Sequence, residues 1–282
     1  MRLGCFYILI AFSISIYGNV CTKRLTQNPQ EMQSNIRMVD DRSQTNHRWH
    51  RTRGLKDYSK LLTVAIFNKL KNLKRGQWWF DMGAGGNLAQ IGYHHGKEIE
   101  FDNTDFSEIP PGVASGKANT LAVGIKRPQF YLDANTPIDQ LEKYLSQQIK
   151  EGRHLYIESF VEKLEIAHKA KLITDVQGPL TYTRHLRAVI LKYLELLEDG
   201  GEILFFAQDA TIHSEGKKLT IFEWLKKYLG AANVKRLSTG AIVVKKPKRP
   251  YYLPLLKLTY YLLEDTTMIR EFEEVRKSHK RD

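Results

Sequence analysis

Cysteine is nearly missing from this chain. Of 282 residues only Cys5 and Cys21 are cysteines, both at the extreme N-terminus, so the remainder carries neither a disulfide nor a thiolate metal site. No HExxH motif and no Cys/His cluster occurs. His94 and His95 are adjacent, and on a helix they would point in different directions, which is poor ligand geometry. No apolar run is long enough for a comfortable membrane span. No internal repeat is visible. The positive charge has no single block either: the formal net charge is +12, yet its longest cluster is only Lys245, Lys246, Lys248 and Arg249. That balance favours anionic partners such as nucleic acid, lipid headgroups or phosphorylated ligands without selecting one. A nucleic-acid interface would need a compact basic stripe with interleaved aromatics, which the sequence does not supply.

What is present suits a large globular domain with appendages. Hydrophobic residues make up 42% and charged residues 26%, enough apolar content for a sizeable core. Residues 1–21, MRLGCFYILIAFSISIYGNVC, combine basic Arg2, an apolar run from Cys5 to about Tyr17 and a small, polar end. That is the pattern of an export signal, with cleavage near Gly18 or Cys21. The alternative is a buried or interfacial N-terminal helix, in which case any membrane contact is confined to this uncleaved segment. The chain is accordingly expected to be periplasmic or secreted if the signal is real, and cytoplasmic otherwise. Residues 22–54 are polar and read as a linker or arm. Residues 55–250 read as the main domain. Residues 251–282 read as a helical, charged tail, its tyrosines and leucines forming a stripe docked on the domain.

Within the main domain, apolar residues recur at helical spacing from Leu55 to Leu73 and predict an amphipathic helix, closed by Lys74-Arg75-Gly76. Strands are expected at 78–80, 119–125, 154–157, 171–176 and 202–207. Helices are expected after residue 88 and at 137–151, 183–197 and 220–229. Asp199-Gly200-Gly201 reads as a tight turn, and residues 96–117, with Pro110-Pro111, as a long loop. A hairpin flanks Ser238-Thr239-Gly240. Alternating strands and helices predict an α/β three-layer sandwich around a mostly parallel sheet. The strands are continuous apolar runs, as in a sheet covered on both faces.

The segment WWFDMGAGGNLAQ, residues 78–90, carries the first functional signal. A buried strand runs straight into glycines, which permit positive φ and close backbone approach to a ligand, and a helix follows at once. Asp81 would hold the turn through backbone N–H groups or meet a ligand amine. A dinucleotide fingerprint wants a third glycine where Leu88 stands, which disfavours a nicotinamide-dependent oxidoreductase.

FDMGAGGN resembles the first motif of class I S-adenosylmethionine-dependent methyltransferases, an acid followed by G-x-G. KLITDVQGPLTY, residues 171–182, resembles the family's fourth motif, and LELLEDGGEILFF, residues 194–206, resembles the segment after it. The likeness covers roughly residues 55–250. It implies a seven-stranded Rossmann-like sheet with a C-terminal antiparallel hairpin, and S-adenosylmethionine at the ends of the first strands. Carried over, it places Asp81, Gly83, Ala84 and Gly85 beside the methionine half of the cofactor, and Glu158 and Ser159 near the adenine. Asp175, Gly178 and Pro179 would border the methyl-transfer channel. Methyl transfer needs mainly alignment of the acceptor, so no catalytic base is assigned.

Two departures stand out. The family usually has a ribose-gripping acid at the end of strand two, whereas Lys126-Arg127-Pro128 follow that strand here; Asp102 or Asp105 are the substitutes within reach. The [DNS]-P-P-[YFW] motif of adenine amino methylation is also missing. The sequence therefore implies methyl transfer to an unidentified acceptor, or a catalytically inactive ligand-binding protein or secreted effector on the same scaffold. The run EFEEVRKSHKRD is compatible with a translocation tag.

Overall fold

The structure is a computed structural model. It describes residues 53–85, 87–95, 117–124, 151–264 and 267–275, all within one compact unit, His50–Asp282. The expected export signal, most of the arm, the helix at 137–151, the loop with Asp102 and Asp105, Lys126-Arg127-Pro128 and the last residues of the proposed tag lie outside the described residues.

Five strands form the parallel part of the main sheet: β1 (Trp78–Met82), β2 (Asn119–Gly124), β3 (His154–Glu158), β4 (Ala170–Val176) and β5 (Leu197–Phe206). The antiparallel hairpin β8 (Val234–Arg236) and β9 (Ile242–Lys245) completes it. The seven strands run in the order β3-β2-β1-β4-β5-β9-β8. The order reverses between β1 and β4, both parallel neighbours in register, with Asp81 opposite Thr174 and Met82 opposite Asp175. In such a sheet the crevice for a ligand opens outside the carboxyl ends of the strands at this reversal.

Strand alternation sends neighbours to opposite faces. Trp78, Phe80 and Met82 join a core with α5 (Leu186–Leu196) and α6 (Ile221–Leu229), including Tyr193, Trp224 and Leu225. Trp79 joins the other core, built on α1 (Leu55–Leu62), α2 (Ala65–Asn72) and α3 (Leu88–His95) through Leu62, Ile66, Leu70 and Tyr93. The paired tryptophans thus anchor both layers, and the α/β three-layer sandwich with a mostly parallel sheet is what the chain forms. At α6, Thr220 and Glu223 make the reciprocal capping box that fixes the helix start: Glu223 N–H donates to Thr220 Oγ1 at 3.2 Å and Thr220 N–H to Glu223 Oε2 at 2.8 Å.

Two expectations need correction, and one expected helix gains a preceding turn. The helix predicted over 55–73 is two helices, because Thr63 takes φ +61° and its hydroxyl accepts the Ala65 N–H at 3.2 Å, starting α2 afresh. The helix predicted over 183–197 is α5, and a short turn of helix, α4 (Pro179–Tyr182), stands ahead of it. The Asp199-Gly200-Gly201 turn is an excursion inside β5: Ala170 pairs with Leu197 and Leu172 with Glu202, so the intervening residues bulge out opposite Lys171.

The larger correction concerns the tail, which is β rather than helical. β10 (Leu255–Glu264) and β11 (Thr267–Val275) form an antiparallel hairpin, and β11 lies parallel to β6 (Thr211–Ser214), itself paired with β7 (Lys217–Leu219). The period in β11 is two: Met268, Arg270 and Phe272 are buried while Ile269 and Glu273 are exposed. Phe272, Ile212 and Ala210 belong to the same core as Trp224 and Phe80, so residues 251–275 are part of the domain. Among the described residues, no helix is long and apolar enough to cross a membrane.

Phe272→Ala is expected to cost about 3–5 kcal/mol and to lower the midpoint of a single urea transition. A detached tail would leave the main transition where it is.

Candidate functional site

The site is built where β1 and β4 end side by side. After Met82 the chain turns through Gly83 at φ +77°, Gly85 at φ +54° and Asn87 at φ +67° before entering α3. The N–H groups of Gly83 and Ala84 both donate to the Val123 carbonyl, at 2.8 and 3.0 Å, tying the turn to the end of β2. Two donors that a phosphate would use are therefore spent within the protein. A Cβ on Gly83 would stand 2.6 Å from Gly178 Cα and 2.7 Å from Pro179 Cδ. The glycine is required because the turn after β4 packs directly against it. Reciprocally, a Cβ on Gly178 would stand 2.5 Å from the Met82 carbonyl oxygen and 2.8 Å from Asp175 Oδ1.

Asp81 and Asp175 sit in adjacent registers on opposite faces of the sheet, and both are fully buried. Asp81 neither caps the turn nor lies open at the strand end as expected. Its Oδ1 accepts the Thr174 hydroxyl at 2.7 Å, and the Tyr58 hydroxyl of α1 lies 2.8 and 2.7 Å from its two oxygens. Burial pushes its carboxyl up to about 7, against the lowering effect of these two hydrogen bonds. Asp175 caps the loop after β4. Gly178 N–H donates to Oδ1 at 2.8 Å, and Leu180 N–H and the Tyr193 hydroxyl donate to Oδ2 at 2.9 and 2.7 Å. Burial raises it to about 6, the hydrogen bonds opposing.

On the other side of the turn lies the end of β2. Gly124 is its last residue, opposite Glu158 of β3, and no acid stands there. A side chain on Gly124 would meet the Tyr156 hydroxyl at 2.4 Å, and that hydroxyl donates to the Gly85 carbonyl at 3.3 Å. Glu158 is exposed at the strand end. Ser159 is buried, its N–H donating to the Gly124 carbonyl at 2.9 Å. The structure thus gathers Gly83, Ala84, Gly85, Glu158, Ser159 and Asp175 along one edge of the sheet, with Asp81 one layer beneath.

Several contributors have no sequence motif. Arg53, assigned to the arm, belongs to the domain: it donates to the Val176 carbonyl at 3.5 Å and to Gln177 Oε1. Beneath the turn a polar chain links Asn87, His154, Thr120 and His94 through contacts of 2.6, 2.7 and 2.7 Å. Burial, with His154 and Arg153 nearby, holds His94 down at about 3 and keeps it neutral.

The linkage sign for Asp81 follows from its raised pKa. The folded state holds this proton between about pH 4 and 7 while the unfolded state releases it, so stability falls as pH rises through that window. Asp175 acts in the same direction. Asp81→Asn is expected to flatten the decline between about pH 4 and 7 in urea melts, and an unchanged slope would show that Asp81 is ionised throughout.

No protein-family model matches the chain, and no curated protein does either. Among solved structures, YjhP from E. coli is similar at 15% identity and TM-score 0.35 over 58% of this chain and 53% of that one. A SAM-dependent methyltransferase from Thiobacillus denitrificans, in complex with S-adenosyl-L-homocysteine, is similar at 14% identity and TM-score 0.33 over 54% and 49%. Phosphoethanolamine N-methyltransferase 2 from Haemonchus contortus, in complex with S-adenosyl-L-methionine, is similar at 15% and 0.31 over 52% and 28%. The chain spans about half the length of the first two and less of the third. The sheet itself, mostly parallel, with its glycine turn at the reversal and its antiparallel closing hairpin, is a Rossmann-like α/β fold.

Proposed function

We propose that this protein binds S-adenosylmethionine at the β1 turn and transfers its methyl group to an acceptor. The observation that carries the reading is the position of the glycine turn at the carboxyl end of β1, where the strand order reverses. The spent N–H groups of Gly83 and Ala84 make the turn a poor phosphate cradle, which favours a cationic ligand over a dinucleotide. When bound, the cofactor supplies a methyl group on a sulfonium centre. Gly83, Ala84 and Gly85 form the turn against which it rests, and Glu158 and Ser159 the adenine end. Asp175 fixes the loop that borders the acceptor. Asp81 supports the turn from beneath through Tyr58 and Thr174 rather than by contact. Tyr156, whose hydroxyl stands where a side chain on Gly124 would, takes the place of the missing ribose acid. The absence of a carboxylate on Gly124 is also the observation that favours the second reading, a ligand-binding protein without transfer.

Calorimetry with S-adenosylhomocysteine tests the binding step. Wild type is expected to bind with one-to-one stoichiometry, and Tyr156→Phe to bind about three- to tenfold more weakly, the worth of one neutral hydrogen bond. No heat with either cofactor form would sink the reading. Gly83→Leu is a poor probe, because its side chain would collide with Gly178 and Pro179 and report on folding. Radiolabelled methyl incorporation into a lysate then separates transfer from binding alone.

A further inference from the structure

β11 delivers one side chain that the fold does not explain. Arg270 is 1% exposed, on the inward face of β11 beside Met268 and Phe272. Its Nη1 donates to the Thr183 carbonyl at 3.2 Å and its Nη2 to the Gln208 carbonyl at 2.9 Å. Its Nε is buried without a partner, and no carboxylate among the described residues forms an ion pair with it. Burial lowers its pKa only to about 10, so the group stays charged at neutral pH. Buried cations are normally paired, because leaving one unpaired costs far more than a lost hydrogen bond. The two nearby acids, Asp175 and Asp209, act on Arg270 electrostatically but make no direct ion pair with it: Asp175 is held by Gly178, Leu180 and Tyr193, and Asp209 Oδ1 accepts the Ala210 and Ile221 N–H groups.

The location is informative. Thr183 follows α4 after β4, and Gln208 follows β5, so both carbonyls lie past the carboxyl ends of strands on the acceptor side of the reversal. Tyr182 and Tyr261 are within electrostatic reach of Arg270, and the Arg184 guanidinium lies 4.7 Å over the Tyr261 ring. Arg53 reaches the same loop at Val176 and Gln177. Two arginines from separate segments, Arg53 and Arg270, therefore lie with Asp175 within electrostatic reach of Tyr182.

We propose that Arg270 anchors an anionic group, a carboxylate or a phosphate, on the methyl acceptor. The fixed two-pronged guanidinium suits planar or tetrahedral oxyanions, and the acceptor's charge completes an ion pair that the protein leaves open. This rests on the methyl-transfer reading, whose cofactor step is measured separately in the same experiment.

The test uses the full chain with S-adenosylhomocysteine, titrated with inorganic phosphate or acetate against chloride at matched ionic strength, reading the thermal midpoint. Phosphate or acetate is expected to raise the midpoint of wild type in a saturable way; which of the two does so identifies the oxyanion. Arg270→Met, which removes the charge and keeps the bulk, is expected to melt no lower than wild type and to lose the response. Arg270→Lys is expected to need about tenfold more anion for half the shift, since it keeps the charge and loses the fork. S-adenosylhomocysteine affinity is expected to be unchanged in all three. A wild type that responds to neither anion beyond chloride overturns the proposal. So does an Arg270→Lys protein with an unaltered half-point, or an Arg270→Met protein that unfolds more easily while responding fully, for that residue would be a structural clamp. Failure of S-adenosylhomocysteine to bind any of the three overturns the cofactor reading instead and leaves the anion response to be judged alone.

Discussion

The site depends on one contact, the back-to-back packing of two glycines at the end of β1 and β4. Gly83 and Gly178 approach so closely that neither has room for a methyl group. This lets two loops leave neighbouring parallel strands without splaying them apart. Each loop is then secured from its far side: the first by the Val123 carbonyl, the second by Asp175. The carboxyl edge of the sheet is thus shaped by backbone held in fixed positions.

The two buried carboxylates brace this edge from within, Asp175 through the loop backbone and Asp81 through Tyr58 and Thr174. Each lies in the interior with its oxygens taken up by hydroxyl and amide hydrogens, and the cost of burying it is only partly offset. Both consequently hold their protons more tightly than an exposed acid would. A tyrosine from each helical layer, Tyr58 and Tyr193, answers one of them. The sheet is in this way bolted to the layers above and below at the level of the site.

Much of the sheet was legible in the sequence because buried parallel strands are unbroken apolar runs, as WWF and KLIT are, and because Asp-Gly and Gly-Pro punctuate them. The helix over 220–229 and the hairpin around Ser238-Thr239-Gly240 were likewise legible. The tail was not. In TMIREFEEV the inward-facing positions include an arginine, which hides the two-residue period, and LLKLTYYLLE has too few polar residues to alternate. The break at Thr63 left no trace, since only its positive φ ends α1 and no glycine marks it. Tyr58, Tyr156 and Arg270 act through distant partners, and a single sequence carries no record of such pairings. The glycine motif pointed to the right place, but Gly83 is a glycine because of Gly178, a reason visible only in three dimensions.

The second sheet is stitched from segments far apart in the chain: β6 and β7 precede the closing hairpin of the main sheet, while β11 joins β6 from residues 267–275. On a ribosome, β6 must therefore emerge with one edge unsatisfied and wait until the whole Rossmann-like sheet has been synthesised before its neighbour arrives. Nascent chains with open strand edges are exposed to misassociation. The region around Thr183 and Gln208, whose carbonyls accept from Arg270 of β11, is consequently completed only after the main sheet has been made.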